Sequence, residues 1–237
     1  MIESKNDPIG YAITDYSNND FDENIIVSSD LCEDDIIPVK TLFRSFEEMP
    51  LIEKKAIELA AGKVLDVGAG AGVLAKEMIK NGLTVFAIDI SEKAITYLNK
   101  IGIPSKQINF FDLENEKFDT ISLLMNGIGI AGKLNNLKKF LNHCKTLLNK
   151  KGKIICDSSD IKYLYEDDEG AVWIDLNTEY YGNFKYKMKY KDQETEWFNW
   201  LYVDFEKLSE TAYEVGLNTK LIHQEDNHFL AELTFDN

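Results

Sequence analysis

Apolar and polar positions change rhythm along this chain, and each change marks an element. From residue 63 onward, short apolar runs alternate with stretches whose apolar positions recur every three to four residues. The pattern predicts strands over 63–68, 84–89, 107–111, 118–125 and 153–158, with helices over 71–80, 92–101 and 134–148 between them. Ser91 supplies an N-cap for the second of these helices. Upstream, 38–46 predicts a short helix carrying Leu42, Phe43 and Phe46, and Pro50 opens a helix over 51–61 that Gly62 stops. Such alternation implies parallel strands joined by right-handed crossovers, with helices on both faces. After a helix over 205–215, strands over 219–224 and 228–235 joined through Glu225-Asp226-Asn227 predict a terminal antiparallel pair. The expected fold is α/β, a doubly wound and mostly parallel sheet with that antiparallel pair at its C-terminal end.

The rhythm breaks at 160–204, where Trp173, Trp197 and Trp200 fall among many tyrosines. Phe184, Tyr186, Met188 and Tyr190 alternate with lysines, the period-2 mark of a half-buried strand, and 197–203 reads as its return partner in a β-hairpin insertion. The first forty residues hold ten acids and two lysines. They read as a surface arm, flexible or packed as a lid. The division expected is an N-terminal arm or lid over 1–50 and a ligand-binding domain over 51–237, with 160–204 free to cap a substrate.

Composition narrows the function classes. At 237 residues and 44% hydrophobic, the chain can bury one sizeable core. A net charge of −15 repels phosphate polymers and disfavours nucleic acid as a partner. No run of eighteen or more apolar residues predicts a membrane span, and Met1 to Asp7 has no apolar signal region. Cys32, Cys144 and Cys156 are scattered, which suits free thiols in a reducing cytoplasm. Arg44 stands alone against 25 lysines, so its planar fork can be the reason it is there. Cys32-Glu33-Asp34-Asp35 lacks spaced histidines and reads as a solvated acidic loop, so no metal is expected. His223 and His228 flank a tight turn and read as surface residues; His143 reads as structural.

The chemistry-bearing stretch is Asp66-Val67-Gly68-Ala69-Gly70-Ala71-Gly72, a strand end followed by glycines at alternate positions. A backbone without Cβ atoms can approach a small ligand closely. Asp89 ends the next strand nineteen residues after Gly70, the spacing at which a carboxylate accepts the hydroxyls of an adenosine ribose. A nucleoside cofactor follows. The dinucleotide fingerprint needs glycine or alanine at its sixth position, where this chain has Val73, and that counts against a nicotinamide oxidoreductase.

These motifs resemble the class I, seven-stranded, Rossmann-like S-adenosylmethionine-dependent methyltransferases. Asp66 to Gly72 looks like their first motif and Ala87-Ile88-Asp89-Ile90-Ser91 their second. Asn109-Phe110-Phe111-Asp112 and Phe118-Asp119-Thr120-Ile121-Ser122-Leu123-Leu124-Met125-Asn126-Gly127 are similar to the adenine-contact and fourth-strand motifs. Leu147-Leu148-Asn149-Lys150-Lys151-Gly152-Lys153 departs from the family's Leu-x-Pro-Gly-Gly by lacking the proline and one glycine.

The resemblance implies S-adenosyl-L-methionine as cofactor. Gly68, Ala69, Gly70 and their amides would receive its methionyl part, with Asp66 facing the ammonium and Arg44 reaching the carboxylate. Asp89 would take the ribose hydroxyls, Ile90 and Phe111 would flank adenine, and Asp112 would accept from the adenine amine. Asn126 and Gly127 would lie near the sulfonium methyl. Asn126, Asp157 and Ser158 are the candidates for handling an acceptor, with Asp160 beside them. The implied function is in-line methyl transfer to a small molecule with an amine or oxygen nucleophile, by a cytoplasmic monomer or homodimer. A non-catalytic cofactor-binding regulator and a protein methyltransferase remain as alternatives.

Overall fold

A computed structural model describes residues 6–20, 23–167 and 179–236. In chain order it contains helix α1 (Pro8–Ser17), strands β1 (Ile25–Ser29) and β2 (Asp35–Ile37), helix α2 (Leu51–Leu59), strand β3 (Lys63–Val67), helix α3 (Val73–Lys80), strand β4 (Thr84–Asp89), helix α4 (Glu92–Lys100) and strand β5 (Ser105–Gln107). There follow strand β6 (Phe118–Leu123), helix α5 (Leu134–Leu147) and strand β7 (Leu148–Ser159). Strands β8 (Asn183–Tyr190), β9 (Gln193–Glu194) and β10 (Phe198–Leu201), helix α6 (Phe205–Glu214) and strands β11 (Leu217–Glu225) and β12 (His228–Phe235) complete the chain.

Seven strands form the main sheet in the order β11-β12-β7-β6-β3-β4-β5. β3 pairs in parallel with both β4 and β6, while β12 runs antiparallel to β7 and β11. Helix periodicity builds the two covering layers. Ile52, Ala56, Leu74, Met78, Ile95 and Leu98 of α2, α3 and α4 fill one face, and Leu137, Phe140, Cys144 and Leu208 of α5 and α6 fill the other. Chain direction across the sheet reverses at β3, so the crevice at its carboxyl end is the topological switch point where such sheets bind ligands. Where the family's proline is missing, β7 begins directly after α5, and the Asn149 amide donates to Asp119 at 2.7 Å.

The acid-rich N-terminal segment is more structured than its composition suggests. Asp7 caps α1 by accepting the Gly10 N–H at 2.9 Å, and Ala12 and Ile13 are fully buried against Ala71, Ala94 and Tyr190. β1 then pairs antiparallel with β8, giving a second sheet in the order β10-β8-β1-β2. Alternation in β1 is only five residues long, too short to announce a strand by itself.

This second sheet lies across the carboxyl edge of the first. Val203 donates its N–H to Ser158 Oγ at the end of β7, and the Tyr181 hydroxyl donates to Asp160. The Trp200 indole packs so tightly on Gly129 that a Cβ there would collide with it. Several strand boundaries also differ from the sequence expectation, the start of β7 at Leu148 among them. The segment 107–111 holds the end of β5 and a 3-10 turn at Phe110–Asp112, and β6 stops at Leu123 because Met125 and Asn126 adopt left-handed backbone. Trp173 lies outside the described residues.

Candidate active site

The bend after β3 is held from behind by the acid that ends β4. Asp89 accepts the Gly70 N–H on one carboxylate oxygen and the Ser91 N–H on the other, both at 2.9 Å. Gly68 and Gly70 have φ of 71° and 54°, and a Cβ built on Gly70 would meet nothing within 4 Å. The bend therefore presents bare backbone to open space, as a close-fitting ligand requires. Gly72 does a different job: its Cβ would press on Leu98 at 2.5 Å, so it lets α3 pack against α4.

Two carboxyls lie at the bend. Asp66 is 3% exposed, and burial pushes its pKa up to about 7; the Ser122 hydroxyl opposes that rise, and the Asp89 charge adds to it. Burial also raises Asp89, against the Ser91 and Gly70 N–H groups that favour its charged form, and Asp7 adds a like charge. Asp7 reaches this place because its second oxygen accepts the Ser91 hydroxyl at 2.6 Å. Helix α1 is thereby fastened to the turn that follows Asp89.

Apolar side chains rim the crevice. Ile90 is 44% exposed at the end of β4, and Phe111 stands half out of the surface, edge-on to buried Phe110. His143 holds the Phe110 carbonyl at 2.9 Å, a structural role. Asp112 is exposed on the same turn. Opposite, Met125 and Asn126 have φ of 59° and 56°, a costly backbone for methionine, and strain of this kind collects at functional sites. The buried Asn126 Oδ1 finds no donor among the described residues, while its N–H donates to Asp157 at 2.8 Å. Gly127 is buried behind it.

Bare backbone, a part-buried acid at the end of β4 and a desolvated Asp66 on which no counter-charge acts among the described residues suit a nucleoside bearing a cationic group. A family model described as a methyltransferase domain matches residues 41–208. A SAM-dependent methyltransferase from Bacteroides fragilis, solved with S-adenosyl-L-homocysteine, is 39% identical and superposes with a TM-score of 0.93. That alignment covers 100% of this chain and 98% of that one.

The chain belongs to the class I S-adenosylmethionine-dependent methyltransferases.

A methyltransferase from Clostridium acetobutylicum shares the fold at 15% identity and a TM-score of 0.56, covering 84% of this chain and 96% of that one. The ubiquinone biosynthesis O-methyltransferase of Thiobacillus denitrificans is 60% identical over 37 residues, a match spanning 16% of either protein. Among the described residues, no helix of this methyltransferase is long and apolar enough to cross a membrane.

Several predicted site residues have partners that sequence did not reveal. The Arg44 fork is 9% exposed and closes on Glu53, with Nε to Oε2 at 3.1 Å and Nη2 to Oε1 at 2.5 Å. Its remaining donors reach the Thr41 carbonyl and Met125 Sδ. The guanidinium thus braces the segment before α2 against the strained turn. Arg44→Lys keeps the charge and loses the fork, which is expected to cost about 1.5–3 kcal/mol and lower the melting midpoint by at least ~3 °C in calorimetry. An unchanged midpoint would show the pair to be dispensable.

Ser158, expected to meet an acceptor, is instead fully buried with its hydroxyl accepting from Val203. It braces the main sheet against the segment that follows β10. His228, expected at the surface, is half-buried and bonded to Asp157. Nothing local in the sequence links residues 71 positions apart; only the antiparallel return of β12 beside β7 does.

Proposed function

We propose that the protein transfers the methyl group of S-adenosylmethionine to a small molecule bound between the two sheets. The observation that carries this is the pair of acids at the ends of β3 and β4, Asp66 buried and Asp89 part-buried, beside a glycine bend open to solvent. Asp66 would pair with the cofactor ammonium, which supplies the counter-charge that the buried carboxyl lacks. Asp89 has spare lone pairs for both ribose hydroxyls while its backbone bonds hold the bend in shape. Ile90 and Phe111 would sandwich adenine, with Asp112 available to its amine, and Gly68, Ala69 and Gly70 would line the methionyl part. The bound sulfonium supplies an activated methyl group. What the chain contributes is alignment, and holding two reactants in line is worth roughly 7–11 kcal/mol. Asn126 and Gly127 would lie near the sulfonium methyl, and the second sheet would exclude water and bulky partners. That cover favours a small acceptor over a protein side chain.

Calorimetry with S-adenosylmethionine, S-adenosylhomocysteine and NAD tests the reading. Binding of both sulfur ligands and no response to NAD is expected. The reverse pattern would overturn it, and binding without methyl transfer to any acceptor would favour a regulatory role.

A further inference from the structure

Asp157 is 1% exposed, yet the acceptor-side chemistry gathers around it. One oxygen accepts the Asn126 N–H and the other meets His228 Nε2, each at 2.8 Å. A carboxylate only accepts, so the proton on that edge of the ring sits on Nε2 and Nδ1 carries the lone pair. The imidazole is 36% exposed, and no hydrogen bond engages Nδ1 among the described residues. Its place is rigid. His228 pairs with Ser159 in the β12–β7 ladder, and the Asp160 N–H donates to the Asn227 carbonyl at 2.8 Å. One buried carboxylate therefore bridges the strained Asn126 turn and an imidazole whose other nitrogen is available.

The surroundings say what could approach that nitrogen. Asp157 raises the His228 pKa from its ordinary value, burial opposes it, and Glu225 and Glu53 add smaller contributions. Glu53 faces from α2 with Arg44 on it, and Tyr202 comes from the end of β10 close enough to sense the Asp157 charge. The Tyr202 hydroxyl meets Tyr186 at 3.2 Å, and Tyr163, 49% exposed, comes close enough to Tyr202 to act on it. The flat tyrosine faces suit an aromatic ring, and the charges of Asp157, Glu53 and Glu225 repel a carboxylate-bearing one.

We propose that His228, oriented by Asp157, takes the proton from the methyl acceptor, and that this acceptor is a hydroxyl on a small uncharged aromatic ring. The inference rests on the methyltransferase reading. The acceptor oxygen gains a bond to the methyl carbon as that carbon's bond to sulfur breaks, with the electron pair staying on sulfur. The hydroxyl proton passes to Nδ1, and Asp157 balances the imidazolium until the proton leaves to solvent. His228 is the catalytic residue here, and Asp157 a positioning residue. A phenol, ionising near pH 10, lies within reach of such a base.

The test uses labelled S-adenosylmethionine with catechol, phenol and 4-nitrophenol across pH 6–10, on the full chain and on His228→Gln. The substitution is expected to lower kcat/KM for catechol and phenol by about 10²–10⁴-fold and to remove the acid limb of the pH profile. S-adenosylhomocysteine affinity should stay within about twofold, and the loss on 4-nitrophenol, already ionised near neutral pH, should shrink below tenfold. Equal losses on all three phenols would overturn the proposal, because a merely structural histidine does not discriminate by acceptor acidity. A wild-type chain that binds S-adenosylhomocysteine but methylates none of them would also overturn it. One that binds no sulfur ligand sinks the methyltransferase reading first. As a second measurement, Asp157→Asn should lower the His228 pKa in imidazole NMR; an unmoved pKa would remove Asp157 from the assignment.

Discussion

Asp89→Ala is expected to weaken S-adenosylhomocysteine binding by more than a hundredfold, measured by calorimetry, while circular dichroism shows the sheet still formed. Two losses combine. The ribose hydroxyls lose a charged acceptor, and hydrogen bonds to charged groups contribute about 1.5–3 kcal/mol each. Gly70 and Ser91 also lose the oxygens that hold their N–H groups at 2.9 Å, so the bend is no longer set before the ligand arrives. Every 1.4 kcal/mol is about a factor of ten, so two lost hydroxyl contacts alone exceed a hundredfold. Asp89→Asn separates the contributions. It has one amide oxygen left to accept, so binding should fall less than with alanine. Affinity within about threefold of wild type in the alanine variant would remove Asp89 from the cofactor site.

Asp66→Asn should trade binding for stability. The folded carboxyl has its pKa raised to about 7 by burial, so between its unfolded value and that point the folded chain holds a proton the unfolded chain has released. The stabilisation this gives is complete below the unfolded pKa and is lost as pH rises through 7. At pH 8 the buried carboxylate is therefore a burden, and the neutral amide should raise the melting midpoint by several degrees there and much less at pH 5. Ligand binding runs the other way. An ammonium pairs with the ionised form, so wild-type affinity for S-adenosylhomocysteine should climb from pH 6 to 8 and level off. In Asp66→Asn that climb should vanish and affinity at pH 8 should drop at least tenfold. A pH-independent wild-type affinity would show that Asp66 faces no cation.

The main sheet and the bend were readable because their signals are local. Branched apolar runs ending in Asp66 and Asp89, and helices with a single apolar stripe, act over ten residues or fewer. The second sheet was only half readable. The lysine–aromatic alternation of β8 marked a strand, but its partner β1 lies about 160 residues upstream with Ile26 opposite Lys189, and no short-range pattern records that pairing. The site divides in the same way. Acids at strand ends announce themselves by spacing. The Asp157–His228 and Arg44–Glu53 pairs arise where separate elements converge, so the histidine passed for a turn residue and the arginine's nearest acid went unnoticed. Ser158 looked available because strand ends usually are; Val203, just past β10, covers it.

The central place of β1 between β8 and β2 has a practical consequence for anyone trimming the chain. A truncation that starts at residue 41 would keep the first glycine motif and look sensible in an alignment. It would also strip β8 of its neighbour and leave an unpaired row of amides and carbonyls, flanked by aromatic side chains, as a template for aggregation.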